Sequence, residues 1–164
     1  MTEKIKNQQE IALIVKELKN QGKKVVWTNG CFDILHIGHI KYLQEAKSKG
    51  DILIVGLNSD TSVKAIKGPK RPIINQSQRA LVLSALLFVD YILIFDQPSP
   101  AYLLEILQPD VFVKGGDYSL QTLNPKEREA VENYGGEIAL IKFVENASTT
   151  EIIKKILSIY GGKN

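Results

Sequence analysis

The sequence predicts an α/β fold, a five-stranded parallel sheet held between two layers of helices. Two observations lead there. Five short runs rich in β-branched residues, at 24–28, 52–57, 91–95, 111–114 and 137–143, are separated by segments with helical start and stop signals. Four of the five are continuously apolar rather than alternating, as in strands covered on both faces. Alternation of strand and helix with right-handed crossovers then gives a three-layer sandwich.

Each element has its own justification. Ile11, Ile14, Val15 and Leu18 recur at i, i+3, i+4 and i+7, and Gly22 ends the pattern, so residues 1–22 open with an amphipathic helix. Its apolar stripe needs a cover, either the sheet or a second subunit. A helix over about 38–49 ends at Gly50, and another spans 76–88. Ser99-Pro100 and Asn124-Pro125 read as an N-cap followed by Pro at the first helical position. Ser148-Thr149-Thr150-Glu151 is a capping-box pattern opening the last helix, which Gly161-Gly162 stops. The stiff basic stretch Lys67-Gly68-Pro69-Lys70-Arg71-Pro72 reads as a loop, Trp27 and Tyr42 as packing residues.

Composition narrows the function classes. At 164 residues, 44% apolar and 24% charged, one domain is expected over 1–164. An excess of 21 basic over 18 acidic residues, +3, is too small to argue for a nucleic-acid partner. No run of about 18 apolar residues exists to span a membrane. Residues 1–10 lack the apolar core of a signal peptide, which makes the cytoplasm the expected compartment. Cys31, the one cysteine, forms no internal disulfide.

In a parallel sheet, ligands bind beyond the carboxyl ends of the strands. Polar and Gly-rich residues gather in those segments: 29–33 with His36-Ile37-Gly38-His39, then Asn58-Ser59-Asp60, Gly115-Gly116-Asp117-Tyr118, and 145–150. Both histidines of the chain lie in one motif, spaced to share a helical face. Gly38 between them clears a side chain, and the helix N-terminus offers amides to an anion. Imidazoles donating to phosphate oxygens stabilise charge that builds as a bond breaks. A rival reading makes Cys31, His36 and His39 zinc ligands, but their spacing is that of no common finger and no fourth Cys or His exists. Otherwise Cys31 is a small buried hydrophobe.

Residues Gly30 to His39, with Cys31, Phe32 and Asp33 inside, resemble the G-x-F-D-x-x-H-x-G-H signature of the cytidylyltransferase-like nucleotidyltransferases. Lys67 and Lys70 match that family's lysines after the second strand, Gln78-Arg79 its glutamine or histidine followed by arginine, and Ser148-Thr149-Thr150 its S-T-T element. The resemblance runs from about Val25 to the end and implies a Rossmann-like fold. Within the family, residues 114–118 and 147–153 look most like the heptose 1-phosphate adenylyltransferases, which make ADP-heptose for bacterial lipopolysaccharide. Glycerol-3-phosphate cytidylyltransferases carry an arginine shortly before S-T-T, whereas this chain has Phe143-Val144-Glu145-Asn146.

That resemblance implies ATP and a sugar 1-phosphate as substrates, Mg²⁺ with the ATP, and a homodimer. A phosphate oxygen attacks the α-phosphorus in line while pyrophosphate leaves, so no covalent nucleophile is needed. His36, His39 and Lys67 are the expected catalytic residues. Cys31, Phe32, Asp33, Gly38, Lys114, Gly116, Asp117, Ser148, Thr149 and Thr150 are expected around the nucleotide. Asn58, Asp60, Lys67, Lys70, Arg71 and Lys114 are expected around the sugar phosphate. Several roles stay open: Asp33 either holds Mg²⁺ with the phosphates or fixes its loop, Phe32 packs under the nucleotide or in the core, and Arg79 binds phosphate or pairs with a carboxylate. No protein side chain is assigned to a metal. A cytidylyltransferase, a catalytically silent nucleotide-binding regulator and a flavodoxin-like carrier are the competing functions.

Overall fold

A computed structural model describes residues 2–116, 119, 121–142 and 148–162 of the chain. After a single 3-10 turn, Thr2–Lys4, the elements run β1 (Ile5–Lys6), α1 (Gln8–Asn20), β2 (Val25–Gly30), α2 (Ile37–Lys47), β3 (Ile52–Asn58), α3 (Asp60–Lys67), α4 (Gln76–Ser84), β4 (Tyr91–Phe95), α5 (Ala101–Leu107), β5 (Val111–Gly115), α6 (Pro125–Asn133), β6 (Glu137–Ile141) and α7 (Thr149–Tyr160). The sheet order is β1-β4-β3-β2-β5-β6, every pair parallel. The expected parallel α/β sandwich is present, with a correction: six strands rather than five. β1 is two residues long, too short to show a period, and its register is set by pairing Ile5 and Lys6 with Ile92 and Leu93.

Strand alternation splits the core in two. Val26, Val55, Val111 and Val113 point to the face covered by α2 and α4, where Leu43, Ala46, Ala80 and Leu83 meet them. Val25, Trp27, Ile54 and Phe112 point to the other face, against Ile11 and Val15 of α1, Leu103, Leu104 and Leu107 of α5, and Ala130 and Val131 of α6. The stripe of α1 is therefore covered by the sheet. Trp27 is 1% exposed and fits because Gly56 lies opposite, where an added Cβ would sit 2.4 Å from the indole.

Local differences from the sequence expectation have physical causes. α3 was not anticipated; Ser59 caps it by accepting from the Ser62 amide, and Val63 is its one buried large hydrophobe. α4 stops at Ser84, short of residue 88. At α5 the helix begins one residue later than expected: Pro100 is the N-cap, and Ser99 Oγ accepts from the Ala101 amide at 3.3 Å. Asn124 and Ser148 cap α6 and α7 as expected, Ser148 accepting from the Glu151 amide at 3.1 Å. Among the described residues, no helix is long and apolar enough to cross a membrane.

The Gly56–Trp27 contact generates a prediction. Gly56→Ala overpacks a buried ring and lowers unfolding free energy by about 1–3 kcal/mol, read as a lower urea midpoint with unchanged slope.

Candidate active site

β2 leaves the sheet at Gly30, and the chain turns through Phe32, whose φ of 43° is left-handed. For a bulky residue that backbone costs about 1–3 kcal/mol, so its surroundings must hold it. Phe32 is 4% exposed and belongs to the core, with its ring under Gly30 and its edge against His39, centroids 5.4 Å apart. His36 and His39 stack at 3.8 Å between centroids, 27° from parallel. His36 is the N-cap of α2: its Nδ1 accepts from the Gly38 amide at 3.2 Å. The proton of neutral His36 therefore sits on Nε2, as a donor. Burial, then the neighbouring His36, lowers the pKa of His39 to about 4. Burial lowers that of His36 as well. Both rings are thus neutral near pH 7 before an anion arrives.

Two buried charges lock this turn to the basic loop. Asp33, with a fully buried side chain, accepts from Arg71 Nε at 2.6 Å, from the Ile73 amide at 3.0 and 2.9 Å, and from the Ile74 amide at 2.9 Å. Burial alone would push this carboxyl up; the Ile73 and Ile74 amides and the Arg71 guanidinium outweigh it and hold it below the ordinary value. Arg79, also fully buried in its side chain, donates to Ile74 O at 2.9 Å, Cys31 O at 2.5 Å and Asp60 Oδ1 at 2.8 Å. Asp33 is therefore a loop anchor, and Arg79 pairs with a carboxylate. Neither is presented to phosphate.

The strand ends open onto a cavity of about 520 Å³. Of the residues the sequence singled out, its lining brings together Cys31, Phe32, Asp33, His36, Gly38, His39, Asn58, Lys67, Arg71, Lys114, Ser148, Thr149 and Thr150. Asp60, Lys70 and Gly116 do not line it. Asp60 is drawn to Arg79, and the Gly116 amide bonds Ile141 O at 2.9 Å, closing a turn. Lys70 is exposed on the loop. Asp117 lies outside the described residues, as do Tyr118 and 143–147. The cavity also takes in Asn29, from the segment 29–33 picked out above, and Tyr42, Pro98, Asn124 and Glu127, to which sequence reasoning assigned no place in the site. Tyr42 forms its floor, its hydroxyl bonded to Thr28 Oγ1 and donating to Val113 O at 3.2 Å. Lys114, expected at the phosphates, meets Glu127 Oε2 at 2.6 Å.

Among the described residues no three His, Cys, Asp or Glu side chains are placed to hold an ion, which overturns the zinc reading of Cys31, His36 and His39. Asp33 is engaged by four contacts from the loop. Cys31 is half-buried, and burial pushes its thiol up against the pull of Lys67, Arg79 and Arg71. It is a poor nucleophile.

Two predictions follow from this geometry. Removing the guanidinium in Arg79→Met leaves the Cys31 and Ile74 carbonyls unpaired and costs about 3–5 kcal/mol in urea unfolding. Between pH 6.5 and 4 the unfolded chain binds protons that folded His39 and His36 refuse, so unfolding free energy falls as pH falls through that window. Asp33 does not contribute there, because its depressed carboxyl releases stability only below the unfolded value of 3.8. His39→Phe should flatten the pH dependence of the urea midpoint between 6.5 and 4.

Comparison with known proteins identifies the family. The Cytidylyltransferase-like family model matches residues 27–155. The chain is 54% identical to the bifunctional protein HldE of Geobacter sulfurreducens over 158 residues, 96% of this chain and 32% of that protein. HldE of Nitratiruptor sp. is 52% identical over 155 residues, 94% of this chain and 32% of that one. The chain thus spans about a third of the curated relatives it matches. Among solved structures, a lipopolysaccharide core biosynthesis protein from Thermoplasma volcanium superposes with a TM-score of 0.60 at 28% identity, covering 77% of this chain and all of that one. A pantoate–β-alanine ligase from Francisella tularensis shares the fold, with a TM-score of 0.56 at 18% identity over 97% of this chain and 79% of that one. With its signature turn, stacked histidines and S-T-T helix tip on one cavity, the chain belongs to the Cytidylyltransferase-like family of nucleotidyltransferases.

Proposed function

We propose that this chain transfers AMP from ATP to D-glycero-D-manno-heptose 1-phosphate, releasing ADP-heptose and pyrophosphate. One observation carries the reading: the stacked His36–His39 pair and the N-terminus of α7 with Ser148, Thr149 and Thr150 share a single cavity. A polyphosphate there meets imidazole donors on one side and hydroxyls with helix amides on the other. The acceptor's phosphate oxygen attacks the α-phosphorus, the bond to the β-phosphate oxygen breaks, and His36 and His39 stabilise the negative charge gathering on pyrophosphate. Lys67 and Arg71 neutralise the two phosphates as they approach. Mg²⁺ enters with ATP, bound to its phosphates rather than to a protein cage.

The heptose acceptor is supported by the resemblance of residues 114–118 and 147–153 and by 54% identity to HldE. The same resemblance supports a cytoplasmic homodimer. Val82 and Leu87, 49% and 94% exposed, and Ile156, Leu157 and Tyr160 of α7 offer apolar surface for such an interface.

Pyrophosphate release tests the reading. Turnover is expected with ATP and heptose 1-phosphate and not with CTP and glycerol 3-phosphate; a preference for CTP would defeat the adenylyl assignment. His39→Asn is expected to lower kcat about 10²–10³-fold, with the circular dichroism spectrum unchanged. A purified protein carrying a yellow chromophore would instead favour the flavodoxin-like carrier.

A further inference from the structure

Besides the histidine side, the cavity's lining includes side chains from the opposite face of the sheet, taken together as its second lobe. Side-chain alternation defines it: Asn29 follows Trp27 in β2, Asn58 follows Ile54 and Gly56 in β3, and Lys114 follows Phe112 in β5, all on the face covered by α5 and α6. The Lys114 ammonium lies 5.5 Å over the Phe112 ring, confirming that side. Glu127 of α6 completes the lobe. It is 4% exposed, with Oε2 on Lys114 Nζ at 2.6 Å and Oε1 accepting from Ser99 Oγ at 3.2 Å. Asn58 is 2% exposed and donates from Nδ2 to Ser62 Oγ at 2.9 Å. The Oδ1 atom of Asn29 is buried and has no hydrogen-bond partner among the described residues.

The two lobes differ in charge. Around the histidines stand Lys67 and Arg71; Arg71 is paired with Asp33, and Lys67, with no carboxylate partner among the described residues, leaves that side a net positive charge. In the second lobe the cation is matched by a buried carboxylate, which repels a phosphate and accepts from a hydroxyl. The fixed Glu127 oxygens and the Asn29 and Asn58 amides form a neutral mixture of donors and acceptors, the chemistry of polyol recognition. We infer that Glu127, with Asn29 and Asn58, reads hydroxyl groups on the acceptor's sugar ring and is a specificity-determining residue of the transfer. Lys114 is its positioning partner rather than a phosphate ligand. This inference rests on the proposed sugar 1-phosphate acceptor.

The test uses the full chain and its Glu127→Gln variant, which keeps the shape while replacing an acceptor oxygen by a donor. Initial rates are measured with ATP and heptose 1-phosphate, and with sugar 1-phosphates each lacking one hydroxyl. In the variant, the acceptor KM should rise at least about tenfold while the ATP KM stays within about twofold. Wild-type protein should discriminate against at least one deoxy acceptor by about 10²-fold or more in kcat/KM, and the variant should lose most of that discrimination. A rise in the ATP KM with an unchanged acceptor KM would assign the lobe to the nucleotide ribose and overturn the inference. So would equal discrimination in both proteins. Should the variant not fold, wild-type selectivity below about threefold across the deoxy series overturns it. Absence of turnover with any sugar 1-phosphate defeats the functional reading itself, a result distinct from turnover that ignores Glu127.

Discussion

The site depends on one interaction, the burial of two opposite charges, Asp33 and Arg79, between the signature turn and the segment leading into α4. Neither element has a periodic apolar face of its own with which to dock. What joins them is a carboxylate that accepts from Ile73, Ile74 and Arg71, and a guanidinium that reaches Cys31, Ile74 and Asp60. Such groups are costly to bury and tolerable only when every partner is present. The same condition makes the loop geometry specific. The left-handed turn at Phe32 is held by this lock, and with it the ring edge that steadies His39.

The histidines are kept neutral by the fold rather than primed as cations. Burial lowers both, and His36 further disfavours a proton on His39 across a 3.8 Å stack. A polyphosphate arriving beside them supplies the negative charge that favours hydrogen-bond donation and proton retention, so the donors gain strength as charge develops. Charge is also distributed unevenly over the cavity. Lys67 stands on the histidine side beside the Arg71–Asp33 pair, while Lys114 is matched by Glu127 on the far side of the strands. Under the proposed reading, that asymmetry would orient an acceptor with an anionic end and a neutral polar body.

Legibility in the sequence followed the range of the interactions. The signature from Gly30 to His39 and the caps at Asn124 and Ser148 are local patterns, and the structure has them where the residues stand. The residues 58, 67 and 148–150 gather because parallel strands deliver their carboxyl ends to one edge. Asp60 and Lys70 were misplaced because sequence position near a motif does not state which way a side chain turns. Glu127 carried no signal, as one carboxylate among several in a polar helix. Its place beside Lys114 arises only from α6 meeting β5.

The chain's own order of residues determined the parallel α/β class, the edge on which ligands bind and the histidine motif, since these follow from periodicity, capping and spacing within a few residues. Tertiary structure alone decided the sixth strand, the duty of Asp33 to its loop, the burial of Arg79 and the pairing of Lys114 with Glu127. Those are contacts between segments 13 to 87 residues apart, from Lys114 with Glu127 to Ile5 with Ile92, and no local pattern encodes which of many compatible groups will meet once the sheet closes.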